Sequence, residues 1–342
     1  MKALVLKEYN RLVLEDVPVP EIGPGDVLIQ VRACGICGSD VHGMDGSTGR
    51  RKPPIIMGHE AAGVIARTGA DAKGWKPGDR VTFDSNICCG ECFFCSRGQI
   101  NLCENLKVLG VSCDEYRQDG AFAEYVAVPQ RALYRLPEGL SFERAALAEP
   151  VSIATHAVGR ASPSSGDTAV VVGAGMVGLL VVQVLRAVGV SVIAVDVDKG
   201  RLDLAMRLGA VAGLDPSRCD VRKEVLKRTD GRGADISFEV VGIIPAVNTA
   251  VAVLRKGGAL VLVGNLSPTV DLPLQAVVTR EISIRGSYMS RGEYPAGLDA
   301  IARGAINVDA VISATAPLAD GPGWFKRLYD REPGLLKVVL VP

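Results

Sequence analysis

The sequence predicts an α/β protein in two parts, a small irregular β domain and a parallel-sheet domain inserted into it. Three observations lead there. Proline and glycine turns punctuate short apolar runs in the first third; β-rich and amphipathic stretches alternate from Asp167 to Gly286; the tail returns to turns and a final apolar strand. A chain of 342 residues has room for two such domains.

The first part reads as strands at Lys2–Leu6, Leu12–Glu15 and Val27–Val31, separated by Pro18, Pro20, Gly23, Pro24 and Gly25. Further turns fall at Pro53-Pro54, Lys76-Pro77-Gly78-Asp79 and Pro137-Glu138-Gly139. Helical periodicity begins near Ser141 and runs to Gly159. In the second part, the runs Ala169–Val172, Val192–Val195, Ile236–Val241, Ala259–Val263 and Ile282–Ile284 are expected strands. Val177–Val188, Lys199–Leu208, Arg222–Arg228 and Pro245–Leu254 are the helices between them, as a sheet covered on both faces requires. The tail adds a helix at Pro295–Arg303 and a strand at Leu336–Val341 that folds back onto the first part. The expected boundaries are 1–150 with 287–342 for the β domain and 151–286 for the inserted one.

Composition excludes several functions. Lys+Arg and Asp+Glu are both 38, so there is no basic field for a nucleic-acid backbone. The 18 residues from Thr168 to Leu185 carry no charge, but Gly173, Gly175 and Gly178 interrupt them, and a strand, a turn and a buried helix are expected rather than a membrane span. The segment Met1–Glu8 lacks a long apolar signal core, so a cytoplasmic location is expected.

Gly173-Ala174-Gly175-Met176-Val177-Gly178 follows an expected strand and opens an expected helix. The first glycine permits the tight turn, the second lets a pyrophosphate approach the backbone, and the third lets helix and strand pack closely. The helix N-terminus, at Met176 and Val177, then holds the phosphates. Asp196 lies eighteen residues beyond Gly178, at the end of the next strand. Its carboxylate would accept the adenosine ribose hydroxyls and repel a 2′-phosphate, so NAD is expected over NADP. Asp198 is the competing carboxylate, and Arg201 is read as an adenosine-side contact.

Eight of the nine cysteines lie between Cys34 and Cys113. Cys89, Cys92, Cys95 and Cys103 form C-x2-C-x2-C-x7-C, a spacing that closes around one tetrahedral zinc with no open position, hence a structural role. Four cysteines also suit an iron–sulfur cluster, and Cys88 competes with Cys89 as a ligand. A second donor set comes from Cys37-Gly38-Ser39-Asp40-Val41-His42, from Gly58-His59-Glu60 and from Glu149-Pro150. Sulfur, nitrogen and oxygen ligands, with water completing the shell, suit a catalytic zinc. Cys34-x2-Cys37 also has the spacing of a redox pair, but Cys34 reads better as a small buried residue, and His156 as a helix histidine without a ligand role.

On these residues the chain resembles the zinc-dependent medium-chain alcohol dehydrogenases, and within them the sorbitol (polyol) dehydrogenase group. The resemblance is carried by Cys34-Gly-Ile-Cys-Gly-Ser-Asp-Val-His42, Gly58-His-Glu-Ala-Ala-Gly63, Pro77-Gly-Asp-Arg-Val81, the four-cysteine lobe, Ala148-Glu-Pro-Val-Ser152, the glycine turn, and Asp196 with Arg201. It implies a GroES-like catalytic domain with an inserted Rossmann domain. It implies one structural and one catalytic zinc, the latter on Cys37, His59 and a carboxylate, Glu60 or Glu149, one direct and the other through water. It implies a homodimer or homotetramer. Ser39 would take the alcohol proton and pass it along the nicotinamide ribose to His42, since a hydroxyl donates and accepts at once and imidazole exchanges protons near neutrality. The substrate implied is a polyol or sugar alcohol oxidised to a ketose. Where the wider family has cysteine, Glu149 also suits a butanediol or threonine dehydrogenase. Gly43 departs from the aromatic residue common after the matching histidine in sorbitol dehydrogenases. Arg50-Arg51-Lys52 would suit a substrate phosphate, although such a run is more often a solvated face. Tyr116, Arg117, Tyr288 and Arg291 are further candidates for lining the cleft. A metal-free reductase of the same fold, or a non-enzymatic NAD sensor, would need no such zinc set.

Overall fold

The computed structural model describes residues 1–113 and 117–342. Two compact units emerge: Met1–Ser152 with Ser290–Gly304 and Val308–Pro342, and Ile153–Met289 with Ala305–Asn307.

In the first unit the organising strand is Asp26–Gly35. Glu60–Thr68 and Tyr125–Pro129 both pair with it antiparallel, and Val27–Gln30 take part in both pairings. Its end receives the C-terminal strand Lys337–Val341, with Leu340 opposite Cys34. That final strand runs parallel to Ile312–Pro317, so the tail completes the sheet organised by Asp26–Gly35. Leu4, Ile29, Phe83, Phe122, Phe325 and Leu340 form a core from which water is excluded. A second sheet, Arg11–Asp16, Lys2–Glu8 and Ile55–Ile56, leads the chain toward His59. The expected helix at Ser141–Gly159 is two helices, Phe142–Ala146 and Ala148–Ala161. Ser141 caps the first, accepting from Arg144 N at 3.3 Å. Pro150 sits in the first turn of the second, where its missing N–H has no intrahelical partner to lose.

The second unit is a six-stranded, wholly parallel sheet. Its order is Ala212–Leu214, Ser191–Val195, Thr168–Val172, Ala234–Glu239, Leu254–Leu262 and Ser283–Gly286, the doubly wound arrangement of dinucleotide-binding folds. The central strands are continuous β-branched runs because helices cover both faces, and Val170, Val171 and Ile193 are fully buried. The uncharged run from Thr168 resolves into a five-residue strand, the glycine turn and the twelve-residue helix Met176–Ala187. Among the described residues no helix is long and apolar enough to cross a membrane. Three helices among the described residues were not anticipated, Gly38–Gly43, Leu274–Thr279 and Gly321–Tyr329. The first two span too few residues to display a period; the third opens with Gly321-Pro322-Gly323, which reads as a turn.

Leu340→Ala should lower the denaturant midpoint of the first unit by the equivalent of about 2–5 kcal/mol. A change confined to exposed tail residues, such as Arg331→Lys, should leave that midpoint in place. Chemical denaturation followed by Trp324 fluorescence reads the difference.

Candidate metal and dinucleotide sites

The first site begins with a helix cap. Cys37 stands in extended backbone before the helix Gly38–Gly43, and its sulfur accepts from Ser39 N at 3.5 Å and from Ser39 Oγ at 3.3 Å. One turn of helix thus gathers Cys37, Ser39, Asp40 and His42. His59 and Glu60 arrive at the start of the strand Glu60–Thr68, which pairs with Cys34 and Gly35. Sequence separation is bridged by the sheet: donor atoms of Cys37, His59 and Glu60 all lie within 4.8 Å of one another.

Each member is held by a partner. Asp40 Oδ2 lies 3.4 Å from His59 Nδ1, which leaves Nε2 for a cation. These two buried atoms have no other hydrogen-bond partner among the described residues. Burial works against charge on both, but His59 and Arg51 hold the Asp40 carboxyl well below the usual range, and Asp40 and Cys37 hold the imidazole well above it. Such a carboxylate–imidazole contact fixes the ring and raises its ligand strength once a metal displaces the second proton. Glu60 is bound by Lys337, whose Nζ donates to Oε1 at 2.8 Å, to Oε2 at 2.6 Å and to Ile36 O at 2.8 Å. Burial opposes the lysine's charge, and Glu60 and Cys37 keep it above the ordinary range. Lys337 was not singled out from sequence, although a lone charge inside the apolar strand Leu336–Val341 was its visible signal.

Glu149 is outside the three-residue group. Burial pushes its carboxyl up to about 8, with Glu60 raising it and His59 and Lys337 pulling it down. It shares this interior with Asp84, Ser290 and Tyr294, whose Oδ2, Oγ and phenol oxygen are buried without partners among the described residues. Cys34 is fully buried and burial drives its thiol well above the usual range, as an inert core residue requires. His156 lies buried in the helix Ala148–Ala161, outside both metal-capable groups.

The basic run Arg50-Arg51-Lys52 needs correction as a solvated face. Arg50 and Lys52 are exposed, but Arg51 is 2% exposed and paired with Asp40 at 2.7 Å. Of the cleft candidates, Arg291 Nε donates to Gly98 O at 2.8 Å and Arg117 to Pro54 O at 2.7 Å; Tyr288 is half-buried in the second unit, and Tyr116 lies outside the described residues.

Cys89, Cys92, Cys95 and Cys103 form a second group whose sulfurs lie within 4.8 Å of one another. Backbone N–H groups of Glu91 and Cys92 pull Cys89 down to about 6, while burial pushes Cys103 up to about 12. Four sulfurs so close suit a tetrahedral thiophilic ion that replaces their protons. Cys88 is outside the group.

In the second unit, Gly173 has φ +102°, a conformation that favours glycine. A Cβ on Gly178 would collide with the Gly173 carbonyl, whereas one on Gly175 would meet nothing within 4 Å. That open space beside the first N–H groups of the helix Met176–Ala187 is where a pyrophosphate fits. Asp196 is fixed by Ala174 N at 2.7 Å on Oδ2 and by Asp198 N at 2.9 Å on Oδ1. Asp198 itself caps the next helix, accepting from Arg201 N at 3.0 Å. Arg201 lies half-buried in the first turn of that helix.

Burial raises Asp84 from an ordinary 3.8 to about 7, with Glu293 adding to the effect. Between those values the folded protein holds a proton that the unfolded chain has released, so this group makes stability fall as pH rises from about 4 to about 7. Asp84→Asn should therefore raise Tm relative to the parent at pH 8 and leave it unchanged near pH 4, as read by calorimetry across that range.

Residues 23–138 match the family model described as Alcohol dehydrogenase GroES-like domain, and residues 176–303 that described as Zinc-binding dehydrogenase. A probable D-xylulose reductase A from Emericella nidulans is 37% identical over 334 residues, covering 95% of this chain and 92% of the relative. Among solved structures, an alcohol dehydrogenase from Thermus sp. ATN1 superposes with TM-score 0.94 at 31% identity, covering 100% of this chain and 99% of that one. A zinc-binding dehydrogenase from Sinorhizobium meliloti, bound to NADP, gives 0.91 at 33% identity with 100% and 99% coverage. With its paired metal-capable groups, its glycine turn and these relatives, the chain belongs to the zinc-dependent medium-chain alcohol and polyol dehydrogenases.

Proposed function

We propose that the protein oxidises a secondary alcohol of an unphosphorylated polyol to a ketose with NAD. The observation that carries this reading is the buried sulfur–imidazole–carboxylate group of Cys37, His59 and Glu60 in a chain whose relatives are named D-xylulose reductases. A five-carbon polyol is therefore the first substrate to test. Bound zinc supplies Lewis acidity that lowers the pKa of an alcohol, and bound NAD supplies the hydride acceptor.

The chain's own residues do the rest. Cys37 and His59 hold the catalytic ion, with Glu60 or Glu149 as the carboxylate; Lys337 restrains Glu60, and the raised Glu149 is able to carry a proton near neutral pH. Ser39, exposed at the head of its helix, accepts the alcohol proton and passes it toward half-buried His42. Gly173, Gly175, Met176, Val177 and Gly178 receive the pyrophosphate, and Asp196, with Arg201 beside the adenosine, selects NAD by opposing a 2′-phosphate. Cys89, Cys92, Cys95 and Cys103 hold the structural zinc. The engagement of Arg51 by Asp40 supports a substrate without phosphate.

The same reading places the enzyme in the cytoplasm as a homodimer or homotetramer. Its support is the outer strand Ser283–Gly286, a sheet edge without a partner among the described residues, with exposed Leu266, Leu272, Leu274 and Val278 nearby in sequence.

Ser39→Ala should cut kcat by about 100-fold while NAD affinity changes little, the size usual for losing a positioned proton carrier. Unchanged turnover would remove Ser39 from the proton path. An NAD-coupled screen of pentitols, hexitols, diols and sugar-alcohol phosphates should show activity on a free polyol, with metal analysis giving two zinc per chain. Preference for the phosphate, or for a diol, would redirect the substrate assignment; activity without zinc would point to the metal-free reductase.

A further inference from the structure

Arg51 is a buried guanidinium beside the metal-capable group, and neither substrate nor cofactor binding has used it. It is 2% exposed. Its Nε donates to Asp40 Oδ1 at 3.1 Å, and its NH2 donates both to Asp40 Oδ1 at 2.7 Å and to Ser39 Oγ at 3.3 Å. Asp40 turns its other oxygen to His59, and Ser39 turns its hydrogen to Cys37 Sγ. One planar fork therefore touches the partner of a metal ligand and the proposed proton carrier together.

Space for this arrangement is made by one residue. A Cβ built on Gly43 would lie 2.5 Å from Arg51 Cγ and 3.3 Å from Arg51 Cβ. Gly43 ends the helix Gly38–Gly43 without a positive φ, so its backbone suits any residue. The next nearest atom to that Cβ is Thr48 Oγ1, at an ordinary 3.5 Å. The closest approach that calls for glycine at 43 is thus the stem of Arg51.

We propose that Arg51 is a positioning residue for alcohol oxidation, fixing the Ser39 hydroxyl directly and the His59 ring through Asp40, and that Gly43 exists to admit it. The inference rests on the zinc dehydrogenase reading. The NH2 bond fills one acceptor position of Ser39 and leaves the other open toward the alcohol. The pairing with Asp40 keeps that carboxylate aimed at His59. Lysine is a single point charge without the fork, so it can serve Asp40 but not Asp40 and Ser39 together.

This separates two effects. Arg51→Lys should retain zinc at the Cys37 site within about threefold, measured by chelator competition on protein free of polyol and NAD, yet lower kcat by about tenfold with KM for polyol and NAD little changed. Gly43→Ala, which keeps the arginine but displaces its stem, should lower kcat to a similar degree. Arg51→Met should in addition weaken zinc retention at the Cys37 site by about tenfold, with the four-cysteine zinc unaffected. Should that variant fail to fold, Arg51→Lys and Gly43→Ala still decide. A kinetically silent Gly43→Ala, or wild-type kcat in Arg51→Lys, would overturn the proposal while leaving the dehydrogenase intact. A parent protein that neither holds zinc at Cys37 nor oxidises alcohols would overturn the dehydrogenase reading, and this inference with it.

Discussion

The catalytic half of this protein depends on how four charges are kept out of water. Lys337 and Glu60, and Arg51 and Asp40, are each almost fully buried and each paired at 2.6–2.7 Å. A buried charge without a partner is strongly destabilising, and breaking such a pair leaves one behind at a cost of about 3–5 kcal/mol. The pairs are therefore constraints on where the chain can go. Lys337 ties the last strand to the strand that begins at Glu60, and Arg51 ties the loop before His59 to the helix that carries Ser39 and Asp40.

Between these two pairs stand Cys37 and His59. Their placement follows from backbone economy. The cysteine sulfur serves as a helix cap before any metal arrives, and the imidazole is aimed by a carboxylate that His59 and Arg51 together hold ionised. A cation entering the group meets donors already oriented and needs to displace protons rather than rearrange strands. The four-cysteine lobe works differently. It contains only two short 3-10 turns, Cys95–Arg97 and Ile100–Leu102, and its sulfurs converge because four ligands fall within fifteen residues. An ion held there would supply order to a segment with little core of its own.

The dinucleotide turn is governed by sterics rather than charge. Gly178 has no room for a side chain and Gly175 has room that nothing fills, and the difference between them is the difference between packing and binding. Asp196 is pinned by two backbone N–H groups, so its remaining lone pairs face outward in a fixed direction.

Much of this was legible in the sequence. The glycine turn, the cysteine lobe and the strand–helix alternation are local patterns, set by residues within one element or one loop, and they fold as their spacing says. Cys37 and His59 could be named as donors because thiol and imidazole carry their chemistry with them. The local reading stopped where meaning depends on a distant strand. It could not choose between Glu60 and Glu149; the tertiary structure groups Glu60 with Cys37 and His59 through strand pairing, and leaves Glu149 nearby with its carboxyl raised by burial. It took Arg51 for a solvated charge, because only packing against Gly43 and Asp40 makes it a buried one. It passed over Lys337, whose partner lies 277 residues away. Residue types and short-range spacing determined which atoms could bind metal and nucleotide; long-range pairing of buried charges decided which of them meet, because the free energy of burying a charge depends on a neighbour that local sequence does not contain.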